Sequence, residues 1–307
     1  MDHRTLTFFT QLRYSVVMRQ TTKIGIYHKN CTDGTTSAAV LLRKFPNIKL
    51  FSVAHSIESI IETVEKIREI ADADSEIYFV DITSGAEELL KDGYKITVID
   101  HHIGLKEKID KLAQENQNFT YIFDNDKSGA SLAWAYFFPD EEVPKIIKYV
   151  EDSDLWKGEY DDTKYVVNYL STNANTPEKI LEFIENGGIE EIKEKGKIIA
   201  DYSDVQIDRF IEDANTVDLR IGELIIPAYN LTSHEYASVV GNKLSILNNK
   251  ATVMFSINGN FVKFSIRGNE GQSPTALDVA KLLGGGGHKN AAGAEIPLND
   301  FLKMIII

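Results

Sequence analysis

Residues 76–102 read EIYFVDITSGAEELLKDGYKITVIDHH, and this stretch decides the fold. Two apolar runs, Glu76–Asp81 and Tyr94–Asp100, flank a short helical segment, Gly85–Lys91. Strands joined through a helix of this kind are crossover units, so they lie parallel in one sheet. Their C-terminal ends then open on the same edge, one at Asp81 and the other at Asp100-His101-His102. The alternation continues outward in both directions. Upstream lie a buried strand at Lys23–His28, a helix at Thr36–Phe45, a strand at Ile48–Val53 and a helix at Glu58–Ile70. Downstream, Phe119–Phe123 reads as a further strand, followed by helices at Ser128–Phe138 and Pro144–Val150. The expected class is α/β, a mostly parallel sheet with helices on both faces.

The C-terminal part reads differently. Residues from Thr176 to Glu212 are highly charged and helical in period, with a break at Gly187-Gly188. Beyond them Leu219–Tyr229, Ala251–Ile257 and Phe261–Arg267 read as strands, the last two joined by Asn258-Gly259-Asn260, an Asn-Gly hairpin signal. Helices at His234–Leu247 and Thr275–Leu283 flank that hairpin, which gives a smaller mixed α/β domain. The expected organisation is an extension at 1–22, a first domain at 23–175, a helical connector at 176–214 and a second domain at 215–307.

Composition narrows the functional classes. The 307 residues carry a formal charge of −13, which disfavours a sequence-independent nucleic-acid coat needing a broad basic face. A nucleotide substrate stays compatible, because bound cations reverse the field locally. The single cysteine excludes an intramolecular disulfide and points to a reducing, cytoplasmic setting. No apolar run approaches the roughly 20 residues that cross a bilayer, so no membrane partner is expected.

Three of the first four strands end in metal-binding side chains: His28, followed by Cys31-Thr32-Asp33-Gly34; Asp81; and Asp100-His101-His102. One aspartate at a strand end is ordinarily a helix cap, and two adjacent histidines are ordinarily surface residues. Their convergence on one sheet edge, where open α/β folds bind ligands, points instead to divalent metal. Buried together, such groups would repel without cations to offset them. Oxygen and imidazole donors suit manganese better than calcium.

The order of these segments resembles the DHH phosphoesterase superfamily with an attached DHHA1 domain. Asp100-His101-His102 stands at the name-giving triplet, and Gly284-Gly285-Gly286-Gly287-His288-Lys289-Asn290-Ala291-Ala292-Gly293 at the second signature. The likeness runs from Lys23 to Ile296. It implies two divalent ions, most commonly Mn²⁺ with Mg²⁺ or Zn²⁺ as alternatives, held by His28, Asp33, Asp81 and His101, with Asp81 bridging. A later aspartate completes the set within Val150–Trp156, where Asp152 is preferred over Asp154. Asp100 would orient a histidine, and His102 would face the substrate phosphate and protonate the leaving oxygen. Cys31 stands where many members have a carboxylate; a thiolate ligand and a small buried residue are both open readings. The resemblance assigns Arg267, Gly286, Gly287, His288 and Lys289 to substrate binding.

The implied activity is metal-dependent hydrolysis of phosphodiesters in short oligonucleotides or in linear or cyclic dinucleotides, to mononucleotides, through water activated by two metals. Alternatives within the superfamily are a single-strand-specific exonuclease, a nucleotide phosphatase and, less favoured, an inorganic pyrophosphatase. From another class, a non-catalytic nucleotide sensor would keep the Gly-His motif and shed the metal ligands. Related enzymes are often dimers, so a homodimer is the oligomer to test.

Overall fold

β1 (Lys23–His28), β2 (Lys49–Val53), β3 (Glu76–Val80), β4 (Lys95–Asp100) and β5 (Phe119–Phe123) form one sheet in the order β2-β1-β3-β4-β5, parallel throughout. The computed structural model describes residues 21–231 and 236–306; the extension read at 1–22 lies outside these up to residue 20, as do His234 and Glu235 of the helix read from His234. Alternate residues of each strand serve opposite cores. On β3, Tyr78 and Val80 pack with Leu41, Ile99, Trp134 and Tyr149, beneath α1 (Thr32–Lys44), α5 (Gly129–Phe137) and α6 (Lys145–Asp154). Ile77 and Phe79 face the other way, among Ile24, Ile67, Leu89 and Ile109, which brings in α2 (Ile57–Ile70), α3 (Ala86–Lys91) and α4 (Lys106–Glu115). Strands buried on both faces explain the near-continuous apolar runs in the sequence.

The strand order reverses direction between β1 and β3. Ligand-binding crevices form at such a switch point, outside the carboxyl ends of the strands. Here His28 ends β1 and Asp81 follows β3.

The charged segment after Thr176 folds as α8 (Pro177–Asn186) and the 25-residue α9 (Ile189–Asp213), separated by Gly187 and Gly188, both at positive φ. Ile180 and Ile192 are buried in the same cluster as Leu41, so this segment is packed onto the first sheet's core as well as linking onward. The sequence pattern marks no element between 151 and 175, where the structure has the end of α6 and α7 (Thr163–Asn173).

A second sheet runs in the order β10-β11-β9-β8-β7-β6, with β6 (Thr216–Ile221), β7 (Leu224–Asn230), β8 (Thr252–Asn258), β9 (Phe261–Arg267), β10 (Gly286–Gly287) and β11 (Ala291–Pro297). All neighbours are antiparallel except β7 and β8, so the sheet is mixed in direction. α11 (Ala276–Leu282) and α12 (Leu298–Met304) cover one face, and α10 (Ala237–Asn248) packs with α9 on the other. The strand read at Leu219–Tyr229 is a hairpin instead: Ile221 pairs with Leu224, and Gly222-Glu223 makes the turn. The later hairpin turns at Gly259-Asn260, with Gly259 at φ +57, because Asn258 is already paired with Phe261. Among the described residues no helix is long and apolar enough to cross a membrane.

Candidate metal centre

Asp81 stands at the middle of the switch point. The residue has φ +57, a left-handed backbone that a non-glycine residue adopts only at a cost of about 1–3 kcal/mol. Its amide still donates to the Ile99 carbonyl at 3.0 Å, so the chain turns directly off the strand while staying tied to β4. Oδ1 lies 3.2 Å from His101 Nε2, and Oδ2 lies 3.5 Å from His28 Nδ1. The same His101 nitrogen is 3.5 Å from Asp154 Oδ2 and 3.9 Å from Asp33 Oδ2.

Asp33 comes from the first turn of α1, whose N-cap is Cys31. Its two oxygens accept from the Gly129 and Ala130 amides at 2.6 and 3.0 Å, at the start of α5. That positive helix end favours a carboxylate. A Cβ on Gly129 would stand 2.7 Å from the Asp81 Cβ and 2.9 Å from Asp33 Oδ2. Only a glycine lets α5 approach both carboxylates, and nothing in the local sequence around Gly129 signals this.

Asp100 is fully engaged elsewhere. Its Oδ1 accepts from the His101 and His102 amides at 2.7 and 3.2 Å and lies 2.6 Å from His102 Nδ1, while Oδ2 accepts from Thr83 Oγ1 at 2.7 Å. The histidine it orients is therefore His102, whose Nε2 is left for the crevice. The His288 ring lies 5.9 Å from that of His102 and brings the glycine-rich hairpin to the same place. His55, two residues past β2, stacks 4.7 Å from His28, with Nδ1 3.4 Å from Ser84 Oγ. No local motif singles out His55, although it follows the end of β2 as Asp81 follows that of β3. Five of the chain's 7 histidines thus gather here.

The carboxylates crowd one another. Burial, together with the charges of Asp81 and Asp154, pushes Asp33 well above the usual carboxylate range. Asp154 is raised in the same way, by burial and by Asp81. Burial also opposes ionisation of Asp81, but the His101 hydrogen bond and the neighbouring His28 and His102 imidazoles outweigh it and hold the group low. Burial depresses His101; Asp81, Asp154 and Asp33 overcome this and push it up to about 9. For His102 burial is likewise outweighed, here by the Asp100 hydrogen bond, so its imidazole is raised.

Two atoms carry the test of whether metal fits. His28 Nδ1 and Asp81 Oδ2 are buried without a hydrogen-bond partner. Buried polar atoms of this kind call for an explanation, a bound ion among them. Asp33, His101 and Asp154 offer ligand atoms within 4.8 Å of one another, as do His28, Cys31 and Asp81, and as do Asp81, Asp100, His101 and His102. The donor set fits divalent cations.

Asp152 is the exception among the expected ligands. It is buried and accepts from the Glu159 amide at 2.6 Å and from the Thr163 hydroxyl, fastening the loop that leads into α7. The helix read at Pro144–Val150 actually continues to Asp154. Two residues along a helix are about 200° apart, so Asp152 and Asp154 face opposite ways. Asp154 is the one that reaches His101.

The glycine run also differs from an open anion nest. Amides of Gly284, Gly285 and His288 are already bonded to the carbonyls of Lys281, Ala280 and Ala291. Gly286 and Gly287 form β10 and pair with Gly293 and Ala292. His288 and Ala291 bond reciprocally, so ladder alternation turns the Gly287 amide toward the open sheet edge. Gly287 has φ +137, and a Cβ there would lie 2.6 Å from the Ala292 Cα. His288 and Lys289 are exposed at the hairpin tip. Arg267, at the end of β9, donates to Ser238 Oγ and to the Ile266 carbonyl, both at 3.0 Å.

Residues 222–306 match the DHHA1 domain model. An uncharacterised protein, R106, of Acanthamoeba polyphaga mimivirus is 22% identical over 298 residues, which cover 91% of this chain and 68% of that protein. The structure of RecJ from Thermus thermophilus in complex with Mn²⁺ superposes with a TM-score of 0.54 at 14% identity, covering 93% of this chain and 51% of RecJ. The pGpG-specific phosphodiesterase PggH from Vibrio cholerae gives a TM-score of 0.49 at 15% identity, covering 92% of this chain and 95% of that one. This chain therefore matches the DHHA1 domain over its C-terminal residues and shares the fold of RecJ along most of its length.

Proposed function

We propose that this protein hydrolyses phosphodiester bonds in short oligonucleotides or dinucleotides with the help of divalent ions, Mn²⁺ foremost. The observation that carries the reading is Asp81. One buried carboxylate with an unpaired oxygen stands between His28 and Cys31 on one side and His101 on the other, with Asp33 and Asp154 close to that same His101. The shared fold with RecJ, which was solved with Mn²⁺, supports it.

The roles divide by chemistry. His28, Asp33, Asp81, His101 and Asp154 hold the ions. Such ions supply an activated water and offset charge at the phosphate. Asp100 fixes the Nδ1 side of His102, so that Nε2 faces the crevice and passes a proton to the leaving oxygen. Its raised imidazole is protonated more readily near neutral pH, as that role requires. Across the crevice His288, Lys289, the Gly287 amide and Arg267 hold the distal phosphate of the substrate. Gly286 supports that amide by pairing with Gly293. A charge of −13 over the whole chain is no obstacle, since binding needs only this local patch.

The test is a Mn²⁺ titration with product analysis on a linear dinucleotide, a cyclic dinucleotide, a ladder of short RNAs and pyrophosphate. Mononucleotides released from the short diesters are expected. Turnover of pyrophosphate alone would refute the phosphodiester reading, and tight nucleotide binding with no turnover on any substrate would point to a sensor.

A further inference from the structure

The two halves of the centre present different donors. Asp33, Asp81, His101 and Asp154 offer carboxylate oxygens and one imidazole. His28, Cys31 and Asp81 offer one imidazole, one sulfur and one oxygen within 4.8 Å of one another. In that second set Asp81 Oδ2 and His28 Nδ1 are the buried atoms with no hydrogen-bond partner, and Asp81 is 1% exposed. Both atoms belong to the group that contains the sulfur.

Resting on the functional reading above, we infer that Cys31 is a thiolate ligand and that its half of the centre takes a borderline-soft ion of the zinc or cobalt class, while the carboxylate-rich half takes Mn²⁺ or Mg²⁺. Sulfur donors favour softer ions, whereas carboxylates suit harder ones. The local backbone supplies the sulfur with one donor. Cys31 is the N-cap of the 13-residue α1, and its Sγ accepts from the Gly34 amide at 3.5 Å. Burial and the charges of Asp81, Asp33 and Asp154 hold the free thiol well above its usual range, so a bound cation is what would offset a thiolate there. The turn is tight enough to bring sulfur and imidazole together because residue 34 has no side chain. A Cβ there would lie 2.5 Å from the His28 carbonyl oxygen. On ligation the S–H bond breaks, the proton leaves to solvent and the sulfur lone pair forms the bond to the ion; no oxidant or reductant is involved.

The experiment is a Co²⁺ titration of the full chain, followed by absorbance, with bound metal measured by elemental analysis. A thiolate-to-cobalt charge-transfer band in the near ultraviolet is expected to saturate at a single equivalent, to persist in excess Mg²⁺ and to vanish when Zn²⁺ is added. Cys31→Ser should bind Co²⁺ without the band. Because Zn²⁺ outranks Mn²⁺ at most N/O/S sites, the informative quantity is the change in their affinity ratio. Cys31→Asp, which restores an oxygen donor, should lower the Zn²⁺/Mn²⁺ ratio about tenfold or more. Circular dichroism on both variants separates misfolding from ligand loss. Bound Co²⁺ with no band in the wild-type protein, or an unchanged ratio in a folded Cys31→Asp, would overturn the thiolate. Either result leaves diester hydrolysis standing. Conversely, intact diesters alongside a normal band would overturn the function and leave the thiolate in place.

Discussion

Exchanging Asp152 and Asp154 for asparagine, one at a time, separates a structural carboxylate from a ligand. Asp152 is buried and accepts two hydrogen bonds, from the Glu159 amide and the Thr163 hydroxyl. Asparagine keeps the shape but turns an NH₂ toward one of those donors. Losing a hydrogen bond to a charged group costs about 1.5–3 kcal/mol. At about 2–4 °C per kcal/mol for a unit of this size, the unfolding midpoint should fall by roughly 3–12 °C. Asp154 instead faces His101 at 3.5 Å, close to the charge of Asp81. In Asp154→Asn the lost ion pair is offset by removing a negative charge facing Asp81, so ion-free stability should stay near that of wild type.

Adding Mn²⁺ reverses the ranking. A ligand present at a hundred times its Kd stabilises the folded state by about 2.7 kcal/mol, worth roughly 5–10 °C. Wild type and Asp152→Asn should both show that rise, and Asp154→Asn should lose most of it. Thermal unfolding with chelator or with Mn²⁺, paired with titration calorimetry, reads both effects. A full Mn²⁺ response in Asp154→Asn, or its loss in a folded Asp152→Asn, would refute the geometric assignment.

Gly129→Ala should destabilise by about 1–3 kcal/mol through overpacking and should also weaken Mn²⁺ binding. Its Cβ has to displace Asp81, whose own Cβ is 2.7 Å away, and unchanged calorimetry on both counts would contradict this. Arg267→Ala should raise KM for a dinucleotide by roughly 10–150-fold, with little change in kcat, because a charged hydrogen bond to substrate is worth about 1.5–3 kcal/mol. A fall in kcat alone would move Arg267 to the chemical step. In the ion-free protein His101 is pushed from 6.5 up to about 9, so the folded state holds its proton more tightly than the unfolded chain. That contribution is fully present below about pH 6.5 and is lost as pH rises through about 9. Chemical denaturation in chelator across this window should show it, and His101→Asn should flatten the profile.

Much of the site was legible because it depends on one regularity. The three inner parallel strands, β1, β3 and β4, are apolar runs buried on both faces, so the first charged or imidazole residue at or after their ends marks the sheet edge. Lys23–His28, Glu76–Asp81 and Tyr94–Asp100 all obey this. What was not legible depends on facts the local pattern does not hold. Choosing between Asp152 and Asp154 required knowing that α6 runs on to Asp154, since a two-residue step reverses the face. The demand on Gly129 arises from residues 48 and 96 positions away, Asp81 and Asp33, and is purely tertiary. β10 and the first four residues of β11 are glycine and alanine, poor strand formers, so only the pairing of β10 with β11 and of β11 with β9 reveals a sheet edge at the glycine run. These gaps share a cause. The sheet edge gathers the ligands, but helices arriving from elsewhere in the chain set their final distances. A carboxylate from α6, amides from α5 and an imidazole from the second sheet's hairpin all meet Asp81 or its neighbours. Asp81 is therefore where a change in any one of these elements should register, whether through metal affinity or through stability.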